Sequence, residues 1–111
     1  MLNEKIDAVE SIIKALVRTS GWRKATARRF PDDPRNMPAV VLLDKLATDA
    51  ANMTDSHWES LKSYFSWSSE TWRDALNTTA RQVGFHHRGK DFDSFVTLLI
   101  HNLSNAQSVA A

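Results

Sequence analysis

The sequence predicts an all-α protein, a compact bundle of about five helices with a short sixth as an option, on three observations. Only three Gly and three Pro punctuate 111 residues, too few for the turns of a multi-stranded sheet. Runs of β-branched residues are scarce. Apolar residues recur at three- and four-residue spacing along most of the chain, the period of a helix with one buried face. The length suits one domain with one core. A hydrophobic share of 42% and a charged share of 24% are those of an ordinary globular domain. The domain is expected to span residues 1–104, and the polar tail 105–111 to fray.

The first helix is predicted from about Glu4 to Thr19, capped by Asn3 and stopped by Gly21, with Ile6, Val9, Ile13, Leu16 and Val17 along its inner stripe. Trp22 to Phe30 has good helix formers and is the candidate for the short sixth helix, before Pro31-Asp32-Asp33-Pro34 forces a break. A second helix begins near Asn36 to Pro38, where Pro is tolerated in the first turn, and carries Val40, Leu43, Leu46, Ala47 and Ala50. Thr54 or Asp55 caps a third helix bearing Trp58, Leu61 and Phe65. The Ser66 to Ser69 break caps a fourth with Trp72, Ala75, Leu76, Ala80 and Val83, expected to stop at Gly84 with Phe85 closing the turn. Asp91 or Asp93 caps the last helix, in which Phe92, Phe95, Val96, Leu98, Leu99, Ile100 and Leu103 make nearly every side apolar.

Composition removes several classes of chemistry. Without cysteine there are no disulfides, thiolate nucleophiles or cysteine zinc sites, which fits a reducing compartment. Met1 to Lys14 is amphipathic and lacks the apolar stretch of a secretory leader, and no apolar run reaches the ~20 residues of a membrane span. A cytoplasmic protein with no membrane partner is expected. Histidines 57, 86, 87 and 101 include no pair at i, i+4, so no metal site is expected. No Gly-rich phosphate loop, nucleophile elbow or recognisable carboxylate pair is present, and neither enzyme activity nor a cofactor is expected.

Net charge is +1, yet Arg18 to Arg35 holds six basic residues against Asp32 and Asp33, so the remainder is net acidic. Within that stretch, Arg23, Lys24, Arg28 and Arg29 lie between Trp22 and Phe30. They form the candidate basic contact surface, for phosphates and exposed bases or for an acidic protein surface. Alternatively, Trp22 and Phe30 pack into the core and the basic side chains are solvated.

Leu61 to Leu76 reads LKSYFSWSSETWRDAL. Its Leu61, Phe65, Ser66, Trp67, Ser68, Thr71, Trp72, Ala75 and Leu76 fit, place for place, the helix-turn-helix of GntR-type winged-helix repressors, which this stretch resembles. The resemblance implies a DNA-binding regulator built on residues 61–83, with Ser69, Glu70 and Arg73 facing base edges. The recognition helix it implies carries Glu70 and Asp74 against Arg73 and Arg81, with no excess of positive charge to meet phosphate. The leading expectation is therefore a small interaction or regulatory module. Its partner is another protein or a second copy docking on the last helix, making a dimer, and nucleic acid is the alternative.

Overall fold

Helix α1 (Leu2–Arg29) runs straight through Gly21 and is the longest element of a five-helix bundle completed by α2 (Asn36–Ala51), α3 (Asp55–Leu61), α4 (Glu70–His86) and α5 (Phe92–Ala110). The computed structural model describes the backbone of residues 2–66 and 69–110 and the side chains of residues 4–66 and 69–106. No strand occurs among the described residues. Nor is any described helix long and apolar enough to cross a membrane.

The course of α1 corrects the expected stop at Gly21, the separate short helix at Trp22 to Phe30, and the cap at Asn3, which lies inside the helix. A mid-helix Gly costs about 1 kcal/mol. Here that penalty is offset because the next turn buries Arg23 and pairs Lys24 with Asp44 at 3.7 Å. The helix ends instead just before Pro31, which disfavours helical backbone at Phe30. Arg28 and Arg29 close the last turn, where cations suit the negative end of the helix dipole.

The inner stripe of α1 also differs from the expected one. Ala8, Ile12, Ala15 and Leu16 are buried, followed by Ser20 and Arg23, whereas Ile6 and Val17 are each 52% exposed. Helices α1 and α2 form the most extensive helix pair of the bundle. Between them, Asp33 accepts hydrogen bonds from the Arg35 amide at 3.0 Å and from its guanidinium at 2.7 Å, and holds the 30–35 turn.

Helix α2 starts as expected, with Pro38 in its first turn, and buries Ala39, Val40, Leu43, Leu46 and Ala50. Thr54 caps α3 by accepting from the His57 amide, and the His57 ring returns to the Thr54 amide. The other ring nitrogen of His57 meets the Asp93 carboxylate, which ties α3 to α5. Phe65, in the joint after α3, packs edge-on against Trp58 at 5.7 Å and Trp72 at 5.2 Å. Ser69 caps α4, and Asp91 caps α5 through the Ser94 amide at 2.7 Å.

A second glycine departs from expectation. Helix α4 continues through Gly84 and Phe85 and stops at His87, which takes the left-handed conformation (φ 55°). Gly84 serves a different purpose. A Cβ there would lie 3.1 Å from Leu43 Cδ1 and 3.6 Å from Thr19 Cγ2, so its missing side chain lets α4 approach both α1 and α2. Helix α5 packs on α4, α3 and α2, with Phe92, Phe95, Val96, Leu99 and Leu103 inward. It takes in residues 105–110, including most of the tail expected to fray.

Candidate functional site

Helices α1 and α4 lie against each other, and between them runs a groove with a repeated architecture. On α4 the lining residues Arg73, Asn77, Arg81 and Phe85 follow at intervals of four; on α1 Lys14, Arg18 and Trp22 do the same. Residues four apart share one face of a helix. The wider end, about 610 Å³ and open to solvent on one side, is lined by Arg18, Thr19, Trp22, Asn77, Arg81 and Phe85. It opens through Arg18 and Asn77 into a narrower part of about 220 Å³, which Lys14 and Arg73 flank and Ala15 and Leu76 floor. Beyond Lys14, Asp7 and Glu10 line the next hollow and end the basic run.

Lys14, Arg18, Arg73 and Arg81 are all exposed, and none forms an ion pair among the described residues. The groove thus gathers four cations on two walls over an apolar floor. Arg81 is steadied by donating from Nε to the Asn77 carbonyl at 3.4 Å. Nearby hydroxyls are already committed: Ser11 donates to the Asp7 carbonyl and Thr19 to the Ala15 carbonyl, both at 2.9 Å.

The wide end is aromatic. Trp22 is 56% exposed and leans on Phe85 with ring centroids 5.3 Å apart and planes at 58°. Phe85 also carries the Arg23 guanidinium 3.8 Å from its ring centroid. Arg23 is buried and donates to Asn36 Oδ1 at 2.7 Å and to the Gly84 carbonyl at 3.3 Å. Its Nε and the Nδ2 of the buried Asn36 have no hydrogen-bond partner. Burial and the neighbouring Arg35 charge lower the pKa of Arg23, while Asp33 acts the other way.

The four residues of the expected basic surface therefore divide. Arg23 turns inward and cannot meet a partner. Lys24 reaches toward Asp44, which also accepts from Ser20 at 2.7 Å. Arg28 and Arg29 are exposed, and Arg29, seven residues from Trp22, shares its side of α1. Trp22 and Phe30, each 56% exposed, do not pack into the core.

The helix-turn-helix stretch is placed as follows. Helix α3 ends at Leu61, α4 begins at Glu70, and α3 packs on α5; Trp67 and Ser68 lie outside the described residues. Ser69 is engaged as a cap, Glu70 is exposed, and Arg73 is exposed on the groove wall that faces α1. Of the histidines, His57 is held between Thr54 and Asp93 and His101 contacts Asn105. Among the described residues no three metal-binding side chains converge.

On α5, Leu98 and Ile100 are half-buried and His101 is exposed. Among the described residues, the large apolar side chains that stand exposed are Ile6, Val17, Trp22, Phe30, Met37 and Val41, which belong to α1, α2 and the turn between them.

Lys14 and Asn77 escape the sequence reading, and Arg18, Arg81 and Phe85 enter it only in other roles, although the four-residue spacing that unites these residues is visible in the sequence. Each row crosses a glycine at Gly21 or Gly84, and reading those glycines as helix ends detaches Trp22 and Phe85 from their rows. Set against protein families, curated proteins and solved structures, the chain matches none of them.

Proposed function

We propose that this chain is a non-catalytic protein-interaction module that seats an acidic segment of a partner protein in the α1–α4 groove. The observation that carries the reading is the set of four cations, Lys14, Arg18, Arg73 and Arg81, on the walls of one groove and without ion partners among the described residues. Like charges held together repel, and a carboxylate-bearing partner relieves that repulsion while fixing its own register. The apolar floor of Ala15 and Leu76 adds contact area that charge alone does not supply.

An acidic protein segment is favoured over a nucleic acid strand by the edges of the groove. Asp7 and Glu10 stand beyond its Lys14 end and Glu70 and Asp74 lie within a turn of Arg73 on α4, so a phosphodiester chain running on past that end meets carboxylates, whereas a short acidic segment can stop before them. The net charge of +1 is also small for a protein that holds phosphates along a surface.

Fluorescence polarisation with a labelled Glu-rich peptide tests the reading, with duplex and single-stranded DNA of mixed sequence as rivals. Salt-dependent binding of the peptide is expected, weakened about tenfold or more by Arg18→Glu with Arg81→Glu. Binding of either DNA in preference to the peptide replaces this reading, in favour of base contacts from Arg73 if the duplex is the one bound.

A further inference from the structure

We infer that the Trp22–Phe85 end of the groove is an anchor pocket for one aromatic side chain of that acidic segment. The inference rests on the reading above and adds the chemistry of the residue beside the carboxylates. At about 610 Å³ and open to solvent on one side, the wide end has ample room for one aromatic side chain to lie against its walls. Its walls are two aromatic rings and the side chains of Arg18 and Arg81. A ring entering there gains edge or offset contact with Trp22 and Phe85 and cation–π contact with the guanidinium groups.

The pocket is built before a ligand arrives. Trp22 rests on Phe85, Phe85 on Arg23, and Arg23 is fixed by Asn36 and the Gly84 carbonyl. Asn36 is fully buried and begins α2, so the exposed indole is referenced to three helices. Fixing the receptor surface in advance lowers the ordering cost of binding. Arg23 touches no ligand in this arrangement and acts as a positioning residue for Phe85.

The groove also has a direction, with Trp22 and Phe85 beside Arg18 and Arg81 at one end and Lys14 and Arg73 at the other. Arg18 and Lys14 are one helical turn apart, about 6 Å along the axis. Carboxylates spaced three or four residues apart on a partner helix have the same repeat. The segment that fits therefore carries an aromatic residue at one end of a short acidic stripe.

Two labelled peptides test this, each a Glu-rich helix former, one with Phe at the end of its acidic stripe and one with Ala in its place. The Phe peptide is expected to bind about tenfold tighter than the Ala peptide. Trp22→Ala, a change at an exposed side chain, removes that ratio; Phe85→Leu, which keeps an apolar group under Arg23, reduces the ratio too. Arg18→Ala weakens both peptides together. Equal affinity for the two peptides overturns the anchor pocket and leaves the acidic-segment reading standing, whereas failure of both peptides to bind at low salt overturns both.

Discussion

The guanidinium of Arg23 lies 3.8 Å from the centroid of the Phe85 ring, a buried cation without a carboxylate among its hydrogen-bond partners. Its hydrogen bonds go to a side-chain amide and a main-chain carbonyl, so α1, α2 and α4 share it. Replacing Arg23 with Met keeps most of the volume but leaves Asn36 Oδ1 and the Gly84 carbonyl without their donor, a loss of about 2 kcal/mol. Arg23→Lys is expected to fall between, since an ammonium carries charge but neither stacks flat nor presents a fork of donors. Chemical denaturation of the three proteins checks the order wild type, Lys, Met; a Met variant as stable as wild type removes Arg23 from the framework of the pocket.

Gly21 offers a test of the opposite sign. It sits inside α1, is exposed, and has no atom within 4 Å of the place a Cβ would occupy. Gly21→Ala is therefore expected to stabilise the protein by about 1 kcal/mol, the difference in helix propensity between the two residues. A helix that stopped at Gly21 would instead lose stability on the change, because the glycine would then occupy a left-handed cap. Urea midpoints separate the two cases without any structural probe.

The same glycine marks the boundary of what the chain reveals before it folds. Helix number, the Pro38 start, and the Thr54, Ser69 and Asp91 caps follow from local chemistry, and each is legible in a few consecutive residues. Whether Gly21 or Gly84 ends a helix is decided elsewhere, by Arg23 finding Asn36 and by Leu43 closing over Gly84, contacts between residues far apart in sequence. The groove depends on both outcomes. Its residues occur in the sequence at the right spacing, but only continuous helices put Trp22 in line with Arg18 and Phe85 in line with Arg81.

Gly84 and Gly89 are expected to resist change for different reasons. At Gly84 a single Cβ meets the tip of the buried Leu43 at 3.1 Å, which must shift to admit it, so Gly84→Ala is expected to cost about 1 kcal/mol. Gly84→Leu has no such outlet and is expected to cost about 2 kcal/mol as α4 is pushed from α1 and α2. Gly89 has φ +69° and would place a Cβ 3.3 Å from Phe95 Cα and from Val83 Cγ2. Gly89→Ala is expected to lose about 1–2 kcal/mol from the left-handed backbone alone. Thermal melts of the three variants check the ranking, and an Ala at position 84 as harmful as the Leu shows that Leu43 does not yield.

Three surface carboxylates, Asp33 half-buried and Asp55 and Asp91 exposed, set the acid limb of stability. Hydrogen bonding from Arg35 lowers Asp33 to about 2, the Lys5 hydrogen bond lowers Asp55, and the Ser94 amide lowers Asp91. Each has a folded pKa below its unfolded value of about 3.9. Between those values the unfolded chain binds more protons, so their stabilisation is complete above about pH 4 and is lost as the pH falls through the folded values. The melting temperature is expected to drop from pH 4 toward pH 2, and Asp33→Asn to flatten that slope. An unchanged slope in the variant assigns the acid limb to other groups.

Groove cations held for a partner and cations held for the fold respond oppositely to removal. If Lys14, Arg18, Arg73 and Arg81 await an anionic ligand, the free protein bears their mutual repulsion, and neutralising one relieves part of it. Arg18→Gln and Arg81→Gln are then expected to leave stability unchanged or to raise it by about 0.5 kcal/mol at low salt. Added salt, which screens exposed charges over a Debye length of about 8–10 Å, should erase the gain. The same substitutions weaken the acidic peptide. Arginines that serve the fold behave differently, losing stability in the Gln variants at every salt concentration. Denaturation midpoints at low and high salt, measured beside peptide affinity on the same proteins, distinguish the two, and a loss above about 1 kcal/mol in either variant makes that arginine a structural residue and withdraws it from the binding surface.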